Sequence, residues 1–155
     1  MDNINVIRIG FFAPVFKIPD VDGDIGDPID RSQSRFTCLA FVNADDAGAG
    51  IIRELEGAPM RTASGLDVVV SGIVPSRIKP AKEFKNKTGF ETRLFCDSDL
   101  RVGRMFSIVA SGTGRPAYHP CVFVIGEEGS VRYRQAIEFD RLEGAVFRKT
   151  IGDLI

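Results

Sequence analysis

Two uninterrupted apolar runs, each followed by a helical pattern, constrain the fold of this chain more than any other feature. Phe36–Val42 reads FTCLAFV, and Leu66–Val74 contains VVVSGIV. Neither run alternates apolar with polar residues, so we expect two strands that are buried on both faces. After the first run, Asp45 and Asp46 offer helix-starting side chains, and an apolar stripe continues to about Gly57. This strand-then-helix order is typical of a sheet covered by helices.

The rest of the chain extends the same pattern and ends in an antiparallel hairpin. Before and after the two runs, the sequence predicts a brief strand and turn within 13–24 and a helix from Ser76 to Lys87. A short strand at Leu94–Cys96 follows, and then a helix that is capped by Asp97 or Asp99 and carries Phe106 and Ile108. A loop over 111–120 leads to a hairpin of Cys121–Ile125 with Val131–Gln135, and a last helix covers Asp140–Ile151. Parallel strands joined by helices and then a hairpin indicate an α/β fold, with a mixed central sheet flanked by helices on both faces.

Length and charge narrow the classes of partner. At 155 residues and 44% apolar composition, the chain fits one domain spanning 1–155. Lys and Arg number 20 against 21 Asp and Glu, without a basic stripe, so we expect neither nucleic acid nor a membrane as a partner. The first residues, MDNINVIRIG, are acidic and polar, which argues against a secretion signal. We therefore expect a cytoplasmic location.

The cysteines do not form a recognisable metal or disulfide pattern. Cys38, Cys96 and Cys121 are odd in number and lack any CxxC or CxxH pairing. We therefore expect no disulfide framework, no metal site and no cofactor. The simplest interpretation is three reduced thiols that act as small buried hydrophobes.

Four segments together resemble the peroxiredoxin family, also called alkyl hydroperoxide reductase and thiol-specific antioxidant, of the thioredoxin superfamily. They are APVFKIPDVDG near the start, LAFVNADD at the first buried strand, LFCDSDLRVGRMFSI in the middle and PCVFVIGEEGSVRYR at the hairpin. In this order, the resemblance spans nearly the whole chain. It implies a thioredoxin-like fold, and it implies a homodimer because such proteins often pair through faces near the active site.

The residues that carry the chemistry of that family are missing here. Family peroxidases have a Pro-x-x-x-Thr/Ser-x-x-Cys motif, in which the cysteine opens a helix whose N-terminus makes the thiol more acidic. Aligned without gaps, these positions correspond to Ala44, Gly48 and Ile51. No cysteine lies between Cys38 and Cys96, so shifting the alignment restores neither this motif nor a CxxC. We therefore expect a non-catalytic binding or regulatory module that uses the former active-site face.

Cys121 supports an alternative function. Pro120 resembles the cis-proline that precedes the corresponding strand in disulfide reductases of the superfamily and contacts their substrate. It stands between Cys121 and His119, which is the only histidine of the chain. A histidine beside a cysteine can lower the thiol pKa. The alternative is therefore a thiol oxidoreductase or peroxidase that uses Cys121 with His119 and is reduced by thioredoxin or a small thiol.

A third candidate site involves an anion. Gly48 and Gly50 lie at the start of the predicted helix, where free backbone N–H groups can hold a small anion, and Arg53 follows three residues later. The spacing lacks the third glycine of a dinucleotide fingerprint, so nucleotide binding is not expected. The other interpretation is that these glycines only permit a tight turn.

Overall fold

The computed structural model describes residues 8–29, 35–112, 114–139 and 141–154. Its strands are β1 (Ile18–Pro19), β2 (Ile25–Gly26), β3 (Arg35–Phe41), β4 (Met60–Arg61), β5 (Asp67–Val74), β6 (Arg93–Cys96), β7 (Cys121–Ile125) and β8 (Val131–Ala136). Its helices are α1 (Asp46–Glu56), α2 (Ile78–Thr88), α3 (Arg101–Met105) and α4 (Gly144–Gly152). None of these helices is long and apolar enough to cross a membrane.

The strands form a mixed sheet with β3 near its centre. The order is β4-β5-β3-β7-β8, and β6 pairs with β5. β3 runs parallel to β5 and antiparallel to β7, while β7 and β8 form an antiparallel hairpin. β1 and β2 form a separate two-stranded sheet. The predicted α/β fold with a mixed central sheet is therefore confirmed.

The unbroken apolar sequence of β3 is explained by burial on both faces. Because successive side chains of a strand point to opposite faces, Phe36 and Cys38 contact one apolar cluster, whereas Leu39 and Phe41 contact the other. The first cluster includes side chains from α1, α2 and α4, and the second includes α3 and the segment before β1. Because both apolar clusters pack against β3, the strand is held in place, and the position of the residues that follow it is fixed as well.

Two predicted helices have different boundaries in the structure. α3 ends at Met105, short of the predicted Ile108, and Ser107 has a left-handed φ of 58° that does not continue a helix. α4 begins at Gly144, and the predicted start at Asp140 lies outside the described residues. The N–H of Gly144 donates to Glu54 Oε1 at 3.0 Å, so this helix end is capped by a distant side chain.

Gly48 is required by close packing at the start of α1. A Cβ at this position would overlap the backbone carbonyl oxygen of Asn43. We predict that Gly48→Ala destabilises the protein by about 2 kcal/mol or more, because backbone on both sides must move. Gly50→Ala is the matched control in the same helix, since a Cβ there meets nothing within 4 Å.

Chemical denaturation measures both variants. Gly50→Ala is expected to raise the free energy of unfolding by roughly 0.5–1 kcal/mol, because alanine favours a helix more than glycine does. Equal effects of the two substitutions would contradict the close approach of Gly48 to Asn43.

Candidate functional site

A cleft of about 450 Å³ lies where β3 and β5 end. Residues from three loops line it: Asn43, Ala44, Asp45, Pro75, Ser76, Arg115, Pro116 and Ala117. The first three link β3 to α1, the next two follow β5, and the last three belong to the 109–120 loop. The carboxyl ends of parallel strands are a common place for ligand sites in α/β folds.

A carboxylate occupies the helix end that faces the cleft. Asp45 is the N-cap of α1, and its Oδ1 accepts a 2.8 Å hydrogen bond from the N–H of Gly48. Its carbonyl also accepts a bond from Ala49, which begins the helical ladder. Asp46 adds a second carboxylate to the first turn. The helix dipole is therefore already balanced by two negative side chains.

Asn43 ties the two walls of the cleft together. Its Nδ2 donates to the carbonyl of Tyr118 at 3.0 Å, and its Oδ1 accepts from the Tyr118 N–H at 2.8 Å. One side chain thus satisfies both backbone groups of a residue in the 109–120 loop. Sequence reasoning did not identify Asn43, and its one local signal is a polar side chain directly after a buried strand.

The buried carboxylate of Asp97 also anchors the 109–120 loop. The Tyr118 hydroxyl donates to Asp97 Oδ2 at 2.6 Å, and Asp97 also accepts from the N–H groups of Val102 and Gly103. Burial and the adjacent carboxylate raise the pKa of Tyr118 far above its usual range, so the phenol remains a donor. The loop that carries Arg115 is thereby fixed against the sheet.

The positions aligned with the family motif lie in different surroundings. α1 begins at Asp46, so Ile51 lies in its second turn, where it is 1% exposed and packs in the core. Ala44 is exposed and lines the cleft. Gly48 is buried, and its N–H is bonded to the Asp45 cap.

The residues of the predicted anion site do not converge. Arg53 lies in the last turn of α1, and its Nη2 donates to the carbonyl of Thr88 at 2.7 Å, at the end of α2. Gly50 is exposed on the helix surface, while the N–H of Gly48 is already bonded to Asp45. The three residues therefore stabilise helix ends and packing, and they do not form one site.

The structure does not bring His119 and Cys121 together. His119 is exposed, whereas Cys121 is 1% exposed and belongs to the core. Burial raises the pKa of the Cys121 thiol to about 11, although the neighbouring Arg134 partly opposes the shift. The expected cis-proline is also corrected, since the described residues contain no cis peptide bond and Pro120 follows a trans one.

The other two thiols are equally inaccessible. Cys38 and Cys96 are 0% and 2% exposed. Burial raises the pKa of both, to about 11 for Cys96, where the charge of Asp20 adds to the effect. No cluster of three or more His, Cys, Asp or Glu side chains that could hold a metal occurs in the described part of the chain.

Comparison with solved structures identifies the fold. Peroxidoxin BcpB from Mycobacterium tuberculosis superposes with a TM-score of 0.72 at 17% identity over 94% of each chain. A cysteine-to-serine variant of PrxQ from Xylella fastidiosa gives 0.75 at 15% identity, over 93% of this chain and 94% of the other. A thiol peroxidase from Chromobacterium violaceum gives 0.72 at 10% identity, over 94% and 86%.

These similarities show that the chain has the thioredoxin-like fold of these peroxidoxin and thiol peroxidase structures, as the sequence predicts. At such low identity they establish the fold alone. No protein-family model matches the sequence, and a search of curated proteins finds no significant match.

The raised thiol pKa values predict a loss of stability in mild alkali. In the unfolded chain, Cys96 and Cys121 lose their protons near the ordinary pKa of 9.0, whereas in the folded protein they keep them to about 11. Their contribution to stability is thus complete below pH 9 and declines as pH rises toward 11, by about 1.4 kcal/mol per pH unit for each thiol.

Urea denaturation at several pH values under reducing conditions tests this slope. Between pH 9 and pH 10.5, Cys96→Ser and Cys121→Ser should each reduce the loss in free energy of unfolding by about 1–2 kcal/mol, since serine does not titrate there. An unchanged slope in Cys121→Ser would show that this thiol is not buried as described.

Proposed function

We propose that this protein is a non-catalytic binding module that holds a polar small molecule or protein segment in the cleft at the N-terminus of α1. One observation carries the proposal: none of the three cysteines lines the cleft, and each is at most 2% exposed. A thiol peroxidase needs a reachable thiolate at that place. The scaffold retains the position of a site while lacking the group that would perform the reaction.

The lining of the cleft supports a polar ligand. Asp45 contributes a carboxylate and Arg115 a guanidinium, so both signs of charge are present. The Ser76 side chain adds a hydroxyl to the lining. Pro75 and Pro116 add rigid apolar surface. Such a mixture of apolar walls and a few polar groups is typical of small-molecule sites.

The preorganisation of the cleft also supports binding. Because Asn43 and Tyr118 connect its walls, the cleft keeps its shape without a ligand. A binding site that is already ordered loses little conformational entropy when it is filled.

A second candidate function is a thiol peroxidase or oxidoreductase that uses Cys121. The observation in its favour is Arg134, whose guanidinium lies beside the Cys121 thiol and favours the thiolate. The buried Nε of Arg134 has no hydrogen-bond partner in the described part of the chain. In this function, the Cys121 thiolate would attack one oxygen of hydrogen peroxide and break its O–O bond, which with one proton from solvent gives a sulfenic acid and water. Two equivalents of a reducing thiol would then restore the Cys121 thiol and would themselves form a disulfide, with release of a second water.

Two of the sequence-based expectations belong to this proposal. The first is the homodimer that the resemblance implies, which stays a prediction. The second is the cytoplasmic location, which agrees with three reduced cysteines but stays a prediction.

Thiol oxidation distinguishes the two candidate functions. We predict that hydrogen peroxide at neutral pH forms sulfenic acid on each of the three cysteines no faster than on free cysteine, because burial disfavours the thiolate. Mass spectrometry with a sulfenic-acid probe measures each rate. Selective fast oxidation of Cys121, slowed by Arg134→Lys, would instead establish the second function.

Fragment binding tests the cleft directly. A library of small carboxylates, amides and amines is added to ¹⁵N-labelled protein, and amide shifts are followed by NMR. We expect some fragments to shift the amides of Ser76, Ala117 and Tyr118, equally in Cys121→Ser. Ala44→Phe places a ring in the cleft and should abolish these shifts, whereas Ala44→Ser is a control that keeps the cleft open. Shifts that survive Ala44→Phe, or no shift with any fragment, would refute cleft binding.

A further inference from the structure

A groove of about 540 Å³ lies between α2 and the turn that joins β1 to β2. Two segments of the chain line it: Val21, Asp22 and Gly23 in the turn, and Ile78, Lys79, Lys82, Glu83 and Asn86 on α2. The volume falls within the range of known ligand sites. None of these residues lines the cleft, so the groove is a separate candidate site.

The turn that forms one wall of the groove has a fixed shape. Asp20 is buried, and its Oδ1 accepts hydrogen bonds from the N–H groups of Asp22 at 2.8 Å and Asp24 at 3.0 Å. Its Oδ2 accepts a 2.9 Å bond from Arg93 Nε on β6. This wall is therefore ordered before a ligand arrives, which lowers the entropy cost of binding.

The second wall, α2, is fixed on its inner side and accessible on its outer side. Ala81 is fully buried beneath the helix, and the ring of Phe84 packs edge-on against Phe90 with centroids 5.7 Å apart. At the end of the helix, Arg53 Nη2 donates to the carbonyl of Thr88 at 2.7 Å. All five α2 residues that line the groove are exposed, so a partner can reach them.

The groove also offers apolar surface. Val21 is 5% exposed and belongs to the core, while Ile78 at the start of α2 is 38% exposed. The aliphatic stems of Lys79 and Lys82 extend this surface, and their charged ends remain in water. Since a cavity of roughly 150 Å³ already holds benzene, the groove has room for one or two aliphatic side chains.

The overall charge balance of the chain conceals an excess of positive charge at α2. Residues 77–88 carry five basic side chains and one acidic side chain, although the formal net charge of the whole chain is −1. Lys82 forms an exposed 3.4 Å ion pair with Asp22. Such a pair is weak in water, so a carboxylate of a partner can replace Asp22. The other four basic side chains form no ion pair with another described residue.

Two of these cations lie at the end of α2 that disfavours them. A helix N-terminus carries partial positive charge and is stabilised by acidic side chains. The first turn of α2 contains Lys79 and no acidic residue, and Arg77 at the N-cap makes no capping bond through its side chain. α1, in contrast, begins with Asp45 and Asp46. A local arrangement that lowers stability is expected where function requires it.

We propose that the α2 groove, defined as the eight residues that line it, docks an acidic segment of a partner protein. One or two aliphatic side chains of that segment enter the groove beside Val21 and Ile78, and the flanking carboxylates face Lys79 and Lys82. Charge complementarity is the reason for choosing this occupant, because α2 presents positive charge around an apolar recess.

The lining favours a protein segment over other anionic partners. Asp22 and Glu83 stand among the lysines and repel the closely spaced phosphates of a nucleic acid. Ile78 is the one large hydrophobic side chain that α2 exposes among the described residues, which is too little apolar surface for a membrane-binding helix. A peptide can place its carboxylates beside the lysines and avoid the two acidic groups.

Peptide titration tests this docking surface. The probe is the fluorescein-labelled peptide EEDLLDEE, and its binding to the full chain is followed by fluorescence anisotropy. We expect saturable binding that weakens as salt is added, because the charged contacts are exposed to solvent. The peptide EEDSSDEE keeps the charge and lacks the apolar pair, so it should bind at least about tenfold more weakly.

Amide shifts of the ¹⁵N-labelled protein locate the bound peptide. Unlabelled EEDLLDEE should shift the amides of Val21, Gly23 and Asn86, and it should leave those of Ala117 and Tyr118 in the cleft unchanged. Ile78→Ala removes part of the apolar lining and is compatible with a helix. It should weaken the binding of EEDLLDEE at least about threefold.

A charge reversal at the start of α2 separates binding from stability. Lys79→Glu removes a cation from the groove and supplies the carboxylate that a helix N-terminus favours. It should therefore raise the midpoint of thermal unfolding while it weakens peptide binding at least about tenfold. Lys149→Glu is the matched control, since it changes the net charge equally at an exposed position in the last turn of α4. It should lower the midpoint and leave peptide binding unchanged.

Several results would overturn the proposal. They are no binding of EEDLLDEE up to about 1 mM, equal binding of EEDSSDEE, shifts confined to the cleft, and an unchanged affinity in Lys79→Glu. Single-stranded DNA or anionic vesicles that bind with the same dependence on Lys79 would also overturn it, because α2 would then serve another class of anion. None of these results alters the fragment shifts expected in the cleft, so the two proposals fail independently.

Discussion

The burial of β3 on both faces is the constraint on which the rest of the structure depends. β3 pairs with β5 on one side and β7 on the other, and its side chains enter both apolar clusters. A strand held in this way cannot shift its register without exposing apolar surface, at about 25 cal/mol for each Å². The end of β3 therefore fixes the position of the chain that follows it, and Asn43, Ala44 and Asp45 lie in one wall of the cleft.

The opposite wall of the cleft is held by polar contacts as well as by the packing of the Tyr118 ring in the core. Asn43 satisfies both backbone groups of Tyr118, and the Tyr118 hydroxyl reaches the buried carboxylate of Asp97. A buried carboxylate without donors is costly, yet Asp97 has three, so the network stabilises the loop and gives it a unique position.

The sequence predicted the elements whose signals are local and missed the contacts that join distant segments. The apolar runs of β3 and β5 and the Asp45 cap of α1 follow from patterns of a few residues. The bond between Asn43 and Tyr118 spans 75 positions, and the capping of Gly144 by Glu54 spans 90. Neither pairing can be inferred from the residues next to it in the chain.

The start of α1 is stabilised by carboxylates. A helix N-terminus attracts negative charge, which this chain supplies through Asp45 and Asp46. A capping aspartate contributes about 1 kcal/mol to stability and needs no activation. A reactive thiolate, in contrast, must stay accessible to solvent and is open to irreversible oxidation. The carboxylate of Asp45 therefore stabilises this helix end by itself, and the binding proposed for the cleft requires no thiol.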